Sequence, residues 1–185
     1  MIMIRKEEKL KIIILKTLKD IKSLFLISLM VYVFALSIGI FMGFNKNVTI
    51  NLTRLSFIEI LTNNLLICLK TLFFGIISFG VGTTFFVIYN GINLGYILIS
   101  VYNSYGWLPI IRYILPHAIF ELIGFLLFAT LGYYPLKVVY VITKNSLNPP
   151  QQSHIYLRGI LFLVFVAIVF LVCAAFIESL VAYYA

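Results

Sequence analysis

The chain has 185 residues, 63% of them hydrophobic and only 11% charged, with a mean hydropathy of +1.11. A soluble domain is about 45–50% apolar and about 25% charged. So few polar side chains cannot cover a water-facing surface, which excludes soluble and disordered classes. Fourteen basic against six acidic residues give a net charge of +8, and seven of the fourteen precede residue 23. A basic end on an apolar body suits an anionic membrane surface and no nucleic acid. The expected fold is all-α, a polytopic transmembrane helical bundle of about five spans in a lipid bilayer.

Residues 1–22 form the first unit. Leu10, Ile13, Ile14, Thr17, Leu18 and Ile21 fall at helical spacing, while Lys9, Lys11, Lys16, Lys19 and Lys22 fill the remaining positions. This predicts a basic amphipathic juxtamembrane helix lying on the inner leaflet. The other reading is a docking helix for a cytoplasmic partner.

Residues 23–185 form the transmembrane domain, and the charges mark its spans. The 23 uncharged residues between Lys22 and Lys46 suffice to cross a hydrocarbon core of about 30 Å, giving a first span near 24–44. No residue is charged for 41 positions between Lys70 and Arg112. As one helix that stretch would measure about 62 Å, so the chain must turn back within it. A turn at Gly80-Val81-Gly82 would divide it evenly but leave Lys70 deep in its span. A turn at Tyr89-Asn90-Gly91 puts Lys70 near an end, where it can snorkel, and Asn-Gly is the stronger turn signal. The expected spans are therefore 66–89 and 92–107. A fourth covers 113–134 with Pro116 in its first turn, then an interfacial segment carrying Lys137 and a polar loop at 145–150. The last span covers 156–179, with Tyr183 and Tyr184 as an aromatic belt.

Ten lysines and arginines fall in the N-terminal and 135–158 segments, against four (Lys46, Arg54, Lys70 and Arg112) on the opposite side. The excess places the N-terminus in the cytoplasm and, after five spans, the C-terminus outside. The expected location is the cell membrane.

Polar groups in hydrocarbon are costly, and each one is a candidate for function. His117 and Glu121 stand four apart on one helical face. They fit a polar pair holding the bundle in register, a proton relay, or two ligands of a metal ion; two ligands make a poor site, and no metal or other cofactor is expected. Asn90 and Asn93 could satisfy backbone groups freed by a turn or a broken helix. Glu178, at the outer end of the last span, is hydrated there or faces Lys70 or Arg112. Gly39 and Gly43, like Gly91 and Gly95, are G-x-x-x-G pairs that permit close helix contact. Cys68 and Cys173 lie alone in apolar stretches and read as core residues. There is no G-x-S-x-G elbow, H-E-x-x-H helix or phosphate loop, so no enzyme is expected.

Several segments together resemble one known family. Leu115-Pro116-His117-Ala118-Ile119-Phe120-Glu121 resembles the PHG-x-x-E signature of the stage II sporulation protein M family, with Ala118 where the family usually has glycine. Asn90-Gly91 followed by Gly95 resembles its N-G-x-x-x-G segment. Ala174-Ala175-Phe176-Ile177-Glu178 is similar to its closing A-x-x-E stretch, and Asn63-Asn64 to the asparagine pair opening its second span. The resemblance runs over about residues 20–185. It implies a multi-span membrane protein which, in spore formers, serves a machine that remodels peptidoglycan during engulfment alongside wall-degrading proteins. Two functions are carried forward. One is a membrane scaffold or complex subunit, self-associating or joined to other membrane proteins. The alternative is a small oligomeric transporter or channel using His117, Glu121 and the Asn90–Gly95 segment.

Overall fold

The computed structural model describes residues 2–48, 56–145 and 153–184. They form α1 (Ile2–Gly43), α2 (Phe57–Ile77), α3 (Val81–Tyr105), a short α4 (Trp107–Pro109), a π-helical turn (Ile110–Ile114), α5 (Leu115–Gly132), α6 (Tyr134–Asn145) and α7 (Ser153–Tyr184). No strand occurs among the described residues. Five segments are long and apolar enough to cross a membrane: Ile21–Gly43, Phe57–Ile77, Val81–Tyr105, Trp107–Val139 and Gly159–Val181. The outer surface agrees with this reading. Phe41 is 83% exposed and Ile58 72% exposed, a degree of apolar exposure that hydrocarbon accommodates and water does not. The protein is a multi-pass membrane bundle.

The centre of the bundle is α5. Every residue from Gly124 to Gly132 is buried, because α7, α2, α1 and α3 all pack around it. Phe125, Leu126 and Phe128 join Val87, Leu163, Ala167 and Leu171 in one core. Parallel helices α1 and α3 lie side by side on four glycines. A Cβ on Gly39 would collide with the Ile92 carbonyl, and one on Gly95 with the Leu36 carbonyl. Gly43 abuts Tyr96 and Ile99, and Gly91 abuts Tyr32 and Ala35. Both G-x-x-x-G faces are thus consumed inside the chain, where backbone approaches backbone. At the end of this pair, the Asn103 amide donates to the carbonyls of Gly43, Phe44 and Lys46 at 3.3, 2.7 and 3.2 Å, capping α1 from outside it.

Three expectations change. First, α3 runs unbroken through Asn90–Gly95, and the reversal lies at Ser78-Phe79-Gly80. There Gly80 takes φ +92°, Phe79 takes φ +51°, and the Gly80 N–H donates to the Gly75 carbonyl at 2.7 Å, a Schellman-type helix stop. The second and third spans are therefore 57–77 and 81–105, in place of 66–89 and 92–107. Second, the spans reach beyond the expected ends. α2 starts at a capping box in which the Ser56 hydroxyl accepts the Glu59 N–H and the Glu59 carboxylate accepts the Ser56 N–H. The fourth crossing begins at Trp107, and Pro116, which has no N–H to donate, sits just after the π-turn. Third, residues 2–43 are one helix. Thr17, Ile21, Leu24, Ser28, Tyr32 and Ala35 all bury along a single face, and Thr17 packs against Gly159 of α7. From Thr17 onward the basic segment extends the bundle. The side chains of 2–11 and the loop at 146–152 lie outside the described residues, as do most of the loop between α1 and α2 with Arg54 and the side chains of Tyr183 and Tyr184.

Candidate functional site

The polar residues converge because neighbouring helices run in opposite directions. Helical side chains lean toward the N-terminus of their own helix. The N-terminus of α5 lies at the end of the bundle that holds the C-terminus of α7, with Gly124 seated on Ala167 and Leu171. His117 and Glu121 on α5 therefore lean toward that end while Glu178 on α7 leans away from it, and the three meet. Their ligand-competent atoms all lie within 4.8 Å of one another, and all three residues are half-buried. The Nδ1 atom of His117 is buried with no hydrogen-bond partner.

Beside this cluster lies a cavity of about 220 Å³ lined by Tyr32, Asn90, Asn93, Leu94, Ile97, His117, Ala118, Glu121, Leu122 and Phe125. Three helices supply these groups: Tyr32 from α1, the two asparagines from α3, and His117 and Glu121 from α5. Unbroken α3 is what makes this possible, since it presents Asn90 and Asn93 on neighbouring faces at mid-span. Asn90 satisfies its own amide against the Phe86 carbonyl one turn back, at 2.9 Å, so the helix tolerates it without a break. Ala118, where the resembled signature has glycine, lies on the cavity wall.

Of the polar residues singled out from the sequence, five assemble here: His117, Glu121, Glu178, Asn90 and Asn93. Glu178 meets the α5 pair, and no ion pair joins it to Lys70 or Arg112 among the described residues. Lys70 is elsewhere. It stands exposed on the outer surface of α2, about 20 Å from the Phe57 end and about 10 Å from the Ile77 end at 1.5 Å per residue. Tyr32 was not foreseen. Its sequence signal is a phenol in mid-span, eleven residues before the helix-ending Gly43, far from the interfacial depth where tyrosines collect. Four other buried hydroxyls are structural: Ser28, Thr71 and Thr130 each donate to the carbonyl four residues back, at 2.9, 2.8 and 2.7 Å, and Thr83 donates across to the Thr71 carbonyl at 3.1 Å.

The sequence pattern described as Stage II sporulation protein M matches residues 23–183. An uncharacterised protein of Methanocaldococcus jannaschii is 35% identical over 127 residues, covering 68% of this chain and 70% of the relative. No solved structure matches. The family match spans the cavity-lining residues of all three helices and both carboxylates of the cluster. The chain belongs to the stage II sporulation protein M family.

Proposed function

We propose that the protein is a non-enzymatic subunit of a cell-membrane complex that remodels the envelope, with its N-terminus in the cytoplasm and its C-terminus outside. It holds its partners through the outer face of α2. The observation that carries this reading is Lys70. An ammonium on the outer face of a spanning helix is expensive against lipid. Its side chain leans toward the distant Phe57 end, and the nearer end is farther off than a lysine stem reaches. Asn63 and Leu66 share its exposed stripe. A partner helix bearing a carboxylate or amide at that depth satisfies the charge, and hydrocarbon does not. The partner is a second copy or another membrane protein.

The test is extraction of the membranes into polymer-bounded lipid discs, followed by mass measurement of wild type and Lys70→Leu. Wild type is expected to carry a partner beyond its own 21.1 kDa, and Lys70→Leu to lose it. A wild-type monomer, or a Lys70→Leu variant that is simply more stable at unchanged mass, would show that Lys70 faces lipid and remove the proposal.

A second reading, a small oligomeric transporter or channel, is favoured by the polar cavity at mid-membrane depth. Flux of a solute into liposomes containing only the purified protein would establish it.

A further inference from the structure

We propose that His117, Glu121 and Glu178 bind a divalent transition-metal cation at the edge of the cavity. One imidazole and two carboxylates make a borderline-hard donor set of the kind that suits manganese, iron or zinc. The three donors come from two antiparallel helices leaning toward each other, and they already lie within 4.8 Å of one another. Small side-chain rotations bring them to bonding distance of a single ion. Three further observations point to a ligand. His117 Nδ1 is buried with no partner in good hydrogen-bond geometry, the ring's one backbone contact being to Tyr113 one turn back, although a buried polar atom normally has a well-formed one. No hydrogen bond from a described residue satisfies either carboxylate, and no lysine or arginine lines the adjoining cavity. Two carboxylates this close inside a membrane bundle repel each other when both are ionised, and a dication between them would relieve that repulsion.

Three protein ligands leave coordination positions open, as in reactive sites and unlike closed four-ligand structural ones. His117 and Glu121 also line the cavity, so water or a solute held there completes the shell, with the Asn90 and Asn93 amides beside it. The site is independent of the α2 face and would exist whether or not Lys70 recruits a partner.

The experiment uses full-length protein without a histidine tag, stripped with chelator in detergent and titrated with Mn²⁺ or Co²⁺. Paramagnetic resonance of Mn²⁺ and visible absorption of Co²⁺ report occupancy and ligand type. Wild type is expected to bind a single ion per chain. Glu178→Gln, Glu121→Gln and His117→Ala should each weaken binding about tenfold or more, while helical content and elution volume confirm folding. His154→Ala should bind as wild type does. Failure of folded wild-type protein to bind at millimolar metal would overturn the proposal and mean that the carboxylates share a proton instead. Undiminished binding by folded Glu178→Gln would overturn it as well, because the ion would then lie elsewhere.

Discussion

Gly95 sits at one of two equally close approaches of α1 and α3, with the Leu36 carbonyl occupying the space a side chain would need. Nothing flexible stands there to move aside, so backbone must shift. Gly95→Leu is expected to destabilise the bundle by about 1–3 kcal/mol, as overpacking of a filled interior does, measured as a lower midpoint of thermal unfolding in detergent. Gly106→Ala tests a different cost. A Cβ there meets open space, but the residue holds φ 75° and ψ −164°, a region open essentially only to glycine, so the expected loss is about 1–3 kcal/mol of backbone strain. At this scale the sequence was partly transparent. His117 and Glu121 announce themselves by a four-residue spacing on an apolar helix. Glu178 does not, because no local pattern says which helix faces it; only the antiparallel docking of α5 on α7 brings it down to them.

α3 shows why an element boundary was harder to read than a polar pair. Asn-Gly is a turn signal in water, where both residues favour left-handed backbone and solvent satisfies the chain. In this bundle the same two residues do other work: Asn90 bonds its own helix at Phe86, and Gly91 lets Tyr32 and Ala35 of α1 approach. The actual reversal carries its glycine at position 80, with a phenylalanine held at positive φ just before it, so the weaker of the two signals marks the turn. α2 was legible at its start and was misplaced because of the assumed turn. The Ser56-Phe57-Ile58-Glu59 run is a capping box written in sequence. Ser56→Ala is expected to cost about 1 kcal/mol and to raise amide exchange at residues 57–60 while α3 stays protected. Uniform exchange across both helices would show that the cap does not set this end.

For the whole molecule, composition alone was enough to predict a membrane bundle, because the apolar fraction and the spacing of charges leave no other way to hide the chain. What the sequence could not supply was the arrangement of helices, and the arrangement determines which polar residues matter. Moving the reversal from residues 89–91 to 78–80 has two consequences. It keeps Asn90 and Asn93 inside the membrane, where they line the cavity with His117 and Glu121, and it strands Lys70 on the outer face of α2. The metal site draws on the first and the partner-binding face rests on the second. Position-specific labelling addresses both most directly. Single cysteines at Phe79 and Tyr89, each exposed on the bundle surface, would be placed in a chain lacking Cys68 and Cys173 and treated with a membrane-impermeant thiol reagent. Phe79→Cys should label readily, from the same side as the N-terminus, and Tyr89→Cys should stay protected within the bilayer. Ready labelling at Tyr89 with protection at Phe79 would contradict the continuous α3, and with it the cavity.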